Sequence, residues 1–309
     1  MKKPLWIVAG ATATGKSDAA VALALQIGGE IISADSMQVY KHMDIGTAKP
    51  TREEMRGVPH YLIDALMPDD EYSAAIFQEK AKLHIDDIVK RGKIPILCGG
   101  TGFYINALLY GTDFTETVSD TAFRDEMEAF AREQGSEALH AKLAAVDLAG
   151  AQAIHANNVR RVVRALEYHA QTGRPISEHN AEQKQREPDY DARMIVLMRD
   201  REELYARIDL RVDKMLEAGL VDEVQKLLDA GYHERLPAMQ GLGYKEIVRY
   251  LHGEYSLEEA TRVLKRDTRH FAKRQRTWFK HQTLDGAHML IADDDPMETA
   301  RQILPLVKT

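Results

Sequence analysis

A chain of 309 residues with 44% apolar side chains can bury one large α/β domain plus a smaller one, and this composition excludes a disordered or fibrous protein. The formal net charge of −7 excludes a molecule coated in positive charge, although nucleic acid would need only a local basic patch. The single cysteine, Cys98, excludes an internal disulfide and fits a reducing cytoplasm, and no apolar run is long enough to span a membrane.

In chain order, Leu5 to Ala9 reads as a buried strand, Gly10 to Gly15 as a loop, and Lys16 to Ile27 as an amphipathic helix. The apolar start loosely mimics a signal peptide, but it is too short and runs straight into glycine-rich sequence. Glu30 to Asp35 is a second strand. Tyr72 to Arg91 is a helix closed by Gly92, Ile94 to Cys98 a strand, and Phe103 to Leu109 a helix after Gly99-Gly100. This alternation predicts an α/β fold: a parallel sheet flanked by helices. From Thr115 to Pro188 the strand pattern stops. Helices are predicted over Thr121 to Gln134, Glu137 to Ala144 and Asn158 to Gln171, so residues 115–188 read as an all-helical insertion between residues 1–114 and 189–309. Met194 to Met198 resumes the sheet. Asp200 with Glu203 resembles a capping box for a helix over Glu202 to Ala218, which Gly219 interrupts; Val221 to Leu228 and Ser256 to Lys280 are further helices.

Gly10-Ala11-Thr12-Ala13-Thr14-Gly15-Lys16-Ser17 matches the phosphate-loop pattern G-x-x-x-x-G-K-[ST], and it lies between a strand and a helix as that loop requires. Its glycines let successive N–H groups face one anion, and the helix start adds a positive dipole end. Lys16 adds a full charge, and the Ser17 hydroxyl suits Mg²⁺. The strand ending at Cys98 leads into Gly99-Gly100-Thr101 rather than the acid of a hydrolytic site, and Asp200 has a capping role to explain it. The loop therefore points to phosphate, not specifically to ATP. Asp35, at the end of its strand, is positioned either as a general base at the ligand-binding edge of the sheet or as a cap for the turn that follows. Cys98, inside an apolar run, reads as a small buried residue, and His60, His140 and His155 lack partners at metal-ligand spacing, so no stable zinc site is expected.

The block Ser33 to Tyr40, continued by Met43-Asp44-Ile45-Gly46-Thr47-Ala48-Lys49-Pro50, closely resembles the signature of the tRNA dimethylallyltransferase (tRNA isopentenyltransferase) family, bacterial type. Gly99 to Tyr104, Asn157 to Leu166, Arg207 to Met215, Gly241 to Glu246 and Lys273 to Phe279 match as well, so the resemblance spans nearly the whole chain. Ala11 stands where the family usually has proline, and the tail after Lys280 lacks the cysteines of the eukaryotic members' zinc finger.

The resemblance implies a P-loop NTPase-like core and transfer of a dimethylallyl group from dimethylallyl diphosphate to an adenosine beside the anticodon of tRNA. It implies catalytic roles for Asp35, Thr101 and Arg211, with Gly10, Thr12, Ala13, Thr14, Gly15, Lys16 and Ser17 holding the diphosphate and Mg²⁺ on Ser17. Asp35, Ser36, Met37 and Gln38 would meet a flipped base. Gln240, Gly241, Leu242, Gly243, Tyr244 and Lys245 would meet neighbouring nucleotides, with Tyr244 reading equally as a core residue. Arg124 on the insertion would contact the anticodon stem-loop. Arg160, Arg161 and Arg164 form one basic cluster suited to phosphates. Arg262, Lys265, Arg266, Arg269, Lys273, Arg274, Arg276 and Lys280 form another, with Asp267 the lone opposing charge within that run. Arg207, one helical turn before Arg211, is equally a solvated residue or a site residue. A monomer is the default. The rivals are a nucleotide kinase, a transferase acting on free adenine nucleotides, and a non-catalytic RNA-binding protein.

Overall fold

A computed structural model describes residues 2–114 and 120–308. The chain divides into two compact units, Met1–Leu109 with Asp189–Thr309, and Tyr110–Pro188. The expected boundary at Thr115 lies outside the described residues.

The first unit runs β1 (Lys3–Gly10), α1 (Lys16–Ile27), β2 (Glu30–Ser33), α2 (Arg52–Met55), β3 (His60–Tyr61), α3 (Ala74–Lys90), β4 (Pro95–Gly99) and α4 (Gly102–Leu109). The second unit holds α5 (Thr121–Gln134), α6 (Ser136–Val146), α7 (Leu148–Ala153), α8 (Val159–Thr172) and α9 (Ile176–Lys184). The first then resumes with β5 (Tyr190–Met198), α10 (Arg201–Glu217), α11 (Leu220–Asp229), a 3₁₀ turn at Ala238–Gln240, α12 (Tyr244–Leu251), α13 (Leu257–His281), β6 (His288–Ile291) and α14 (Pro296–Lys308).

The six strands pair in the order β3-β2-β4-β1-β5-β6, and every pairing is parallel. Their alternation sends Trp6, Val8, Ile96, Cys98, Ile195 and Leu197 to one face, where they pack with α1 and α14. The other face is covered by α3 and α13. Burial on both faces explains why the central strands read as continuous apolar runs. The chain leaves β1 for β2 on one side, and β1 meets β5 on the other. This reversal opens a crevice at the carboxyl edge of the sheet. A second core joins Val39, Tyr40 and Met43, which follow β2, to α11, α12 and the first half of α13.

The helical unit closes around Met127, Leu139, Leu143, Val162 and Val163. Its α7 and α9 are additional to the three helices predicted. Asp147 ties them together: its carboxylate accepts from Gly150 N at 2.7 Å and from Ser177 N and Oγ at 2.9 and 2.6 Å. The capping box expected at Asp200 does not form, because the Asp200 side chain makes no capping bond and Glu203 turns instead to Arg199. Gly219, in the left-handed region at φ 98°, separates α10 from α11.

Candidate active site

β1 delivers the chain to the carboxyl edge at Gly10, and α1 begins at Lys16 behind Gly15, whose left-handed backbone (φ 89°) turns the loop into the helix. The intervening loop is held from within and without. Thr14 Oγ1 donates to the Ala11 carbonyl at 2.9 Å, and Lys16 Nζ reaches the same oxygen at 3.5 Å. From α13, Gln275 accepts from Thr12 N–H at 2.9 Å and donates to the Gly100 carbonyl at 3.0 Å, joining this loop to the one after β4.

β2 ends two strands away at the same edge. Gly99 permits the close approach that follows: a Cβ there would lie 2.2 Å from the Ala34 carbonyl oxygen. Thr101 N–H then donates to that oxygen at 3.2 Å, placing Thr101 at the head of α4, beside the residue preceding Asp35. Lys16, Ser17, Asp35, Gln38 and Cys98 line one narrow cleft. Asp35 Oδ1 accepts from Met37 N–H at 2.9 Å and Gln38 N–H at 3.4 Å, so the capping reading is realised by one carboxylate oxygen while the side chain lines the cleft.

The charge pattern is cationic where the loop lies. Burial pulls the Lys16 ammonium below the ordinary lysine range, Asp35 opposes that pull, and Arg211 reinforces it. Arg211 is itself lowered by burial, with Asp18 opposing and Arg207 adding to the effect. Two mutually repelling cations thus lie close together near the loop, an arrangement suited to an anion. Burial pushes the Cys98 thiol up to about 11, which makes it a poor nucleophile at neutral pH.

The segment after Asp35 is fixed by groups with no local signature. Glu223 on α11 accepts from the backbone N–H groups of Asp44, Ile45 and Gly46 at 2.9, 2.7 and 3.0 Å, and from the Tyr244 hydroxyl at 2.7 Å. The Lys49 ammonium donates to the Tyr40 carbonyl at 2.7 Å and pairs with Asp44 and Asp64 at 2.5 Å each. Gly46 is needed because a Cβ would stand 2.6 Å from the Tyr244 ring.

Tyr244 is therefore a core residue: it is 0% exposed, so the expected nucleotide contact does not hold for it, and Gly243 beside it is buried as well. Gln240, Gly241, Leu242 and Lys245 reach the surface, and Met37 packs against Gly241, so the two segments expected to meet bases are neighbours. Ser36, Met37 and Gln38 are half-buried, with Gln38 Nε2 donating to the Ala48 carbonyl at 3.2 Å.

In the helical unit, Arg124 and Arg164, expected to meet RNA, are partly exposed and already paired. Both bind the buried Glu167 carboxylate, Arg124 through two bonds of 2.8 Å and Arg164 through one of 2.8 Å. Burial alone would raise the Glu167 carboxyl, but the two guanidiniums prevail and hold it below its usual range. Arg160 and Arg161 remain exposed. The α13 cluster is likewise more opposed than its own sequence suggests, since Glu259, Asp213 and Asp209 pair with Arg262, Lys265 and Arg269, and Asp267 with Arg266. Among the described residues, Lys273, Arg274, Arg276 and Lys280 form no ion pair, and no group of three or more His, Cys, Asp or Glu side chains is arranged to hold a metal. No described helix is long and apolar enough to cross a membrane.

A parallel sheet carrying a phosphate loop at its reversal point, with a carboxylate in the same cleft, defines a P-loop-type α/β enzyme that handles a phosphorylated substrate. The chain belongs to the IPP transferase family, whose model matches residues 38–282. It is 57% identical over 280 residues to the tRNA dimethylallyltransferase of Lachnoclostridium phytofermentans, covering 91% of this chain and 90% of that one. Its structure is similar to the full-length tRNA isopentenylpyrophosphate transferase of Bacillus halodurans, with a TM-score of 0.72 and 43% identity over 100% of this chain and 97% of the other. It is also similar to a eukaryotic dimethylallyltransferase acting on tRNA, with a TM-score of 0.78 and 31% identity over 94% of this chain and 74% of that one.

Proposed function

We propose that this chain transfers the dimethylallyl group of dimethylallyl diphosphate to the exocyclic N6 amine of the adenosine 3′-adjacent to the anticodon (position 37) of tRNA, releasing diphosphate. The observation that carries the reading is the single cleft shared by Lys16 and Ser17 of the phosphate loop and by Asp35. The allylic C–O bond breaks as its diphosphate is stabilised by the loop amides, Lys16 and Arg211. The Ser17 hydroxyl lines the cleft and would hold Mg²⁺, which when bound adds positive charge at the leaving group. The adenine amine forms the new C–N bond and gives up its proton to Asp35, whose Oδ1 is fixed by the following turn and whose other oxygen is left for the proton. Thr101, at the head of α4, contacts the bridging oxygen of the donor or the transferred group in this reading.

A stacked base cannot enter this cleft, so the adenosine flips out of its strand. Asp35, Ser36, Met37 and Gln38 receive it, and the adjacent surface residues Gln240, Gly241, Leu242 and Lys245 meet its neighbours. Arg160 and Arg161 of the helical unit, with the unpaired half of the α13 cluster, track phosphates of the anticodon stem-loop. The enzyme works on cytoplasmic tRNA as a monomer.

The test combines protein, Mg²⁺, labelled donor and an anticodon stem-loop, with no ATP. Label is expected in the RNA, and a nucleoside digest analysed by mass places it on adenosine. Transfer that appears only when ATP is supplied would favour a kinase; transfer to AMP as efficiently as to the stem-loop would favour an enzyme of free nucleotides.

A further inference from the structure

The phosphate loop is gripped from behind by two arginines that share one carboxylate. Arg207 Nε, from α10, donates to the Ala13 carbonyl at 3.1 Å. Arg199, at the end of β5, donates from Nε to the Thr14 carbonyl at 3.2 Å. Both guanidiniums pair with the same Asp294 oxygen, Arg199 at 2.9 Å and Arg207 at 3.1 Å. Arg199 is further tied to Glu203 and, at 2.9 Å, to the Asp293 carbonyl. Its side chain is 3% exposed, whereas that of Asp294 is 79% exposed.

In a planar trans peptide, the carbonyl of one residue and the N–H of the next point in opposite directions. A carbonyl of Ala13 held against Arg207 therefore turns the Thr14 N–H away from that arginine. A carbonyl of Thr14 held against Arg199 does the same for the Gly15 N–H. These are consecutive amides of the anion cradle. Ala13 keeps a left-handed backbone (φ 63°), which an alanine adopts only where its surroundings hold it.

We propose that Arg199, Arg207 and Asp294 are positioning residues that preset the amide directions of the diphosphate cradle, with Asp294 on the segment between β6 and α14 setting the angle of both arginines. None of the three is assigned contact with the substrate; they act through the loop backbone. The inference rests on the reading of this loop as a diphosphate site. The partly exposed Arg207 guanidinium is tied to the loop carbonyl and to Asp294, so its role in this reading runs through the loop.

The experiment titrates inorganic pyrophosphate with Mg²⁺ into the full-length protein by calorimetry and measures KM separately for dimethylallyl diphosphate and for the stem-loop. Arg207→Gln is expected to weaken pyrophosphate about 10-fold or more, as loss of a charge-assisted hydrogen bond would. Asp294→Asn, at an exposed position, is expected to weaken it about 3- to 10-fold. Both should raise the donor KM and leave the stem-loop KM unchanged, and Arg207→Lys, which still donates to the carbonyl, should recover most of the loss. A merely structural role would move both KM values together and would show no lysine rescue. Equal pyrophosphate affinity in wild type, Arg207→Gln and Asp294→Asn overturns the positioning role while leaving the diphosphate site intact. No binding by the wild type overturns the diphosphate site itself.

Discussion

Asp35 illustrates how one carboxylate serves two ends. Oδ1 caps the turn at Met37 and Gln38, and this bond is what aims the side chain into the cleft. The two uses are separable by substitution. Asp35→Asn keeps an acceptor oxygen but removes the base, so turnover should fall about 10²–10⁴-fold, as for Asp35→Ala, with stem-loop affinity little changed. Recovery of near-normal single-turnover rates in Asp35→Asn would leave the residue only its capping bond. Tyr244 poses the opposite case, a residue wholly buried within a segment proposed to meet nucleotides. Tyr244→Phe loses the bond to Glu223 and should cost about 1–2 kcal/mol in denaturant unfolding, because Glu223 keeps its backbone donors. Stem-loop affinity should be unaffected; a large loss would return the ring to the RNA.

At the scale of elements, β2 leads at its carboxyl end to the cleft-lining Asp35 and begins on a buried acid. Glu30 is 1% exposed, and hydrogen bonds from Arg91, against the pull of burial and with help from Tyr61 and Lys93, hold its carboxyl at about 2. A folded pKa depressed below the unfolded one gives stability that is complete above about pH 4.5 and lost as pH falls toward about 2. Glu30→Gln should therefore cost about 3 kcal/mol at neutral pH and far less near pH 2, so that the two unfolding curves converge on acidification. Parallel curves would mean that Glu30 titrates alike in both states. The helical unit uses the same device: the buried Glu167 collects Arg124 and Arg164, whose side chains stay partly exposed.

For the whole molecule, an acidic total of −7 coexists with local excesses of positive charge. Internal pairing decides where those excesses lie. Replacing the exposed Arg160 and Arg161 by Gln should reduce the slope of log Kd against log salt for the stem-loop by about 1–2, as loss of one or two phosphate contacts would. An unchanged slope would locate the RNA on other surfaces. Legible in the residues alone were the strand–loop–helix at Gly10 to Ile27, the buried central strands, the helical character of the insertion and the place of Asp35 at the carboxyl edge of the sheet. Each of these is written in residues close together in the chain, as a periodicity or a fixed spacing. Tertiary packing brings Lys16 and Asp35 into one cleft, buries Tyr244, pairs Arg124 and Arg164 with Glu167, and sets Arg199, Glu223 and Gln275 to brace the site. It also added β3, two residues long, and β6, an exposed edge strand, neither of which carries enough apolar alternation to be read. Those outcomes depend on partners brought together by sheet order and helix packing from as far as 263 positions apart in the chain, and no local pattern encodes which distant charge or hydroxyl will be opposite.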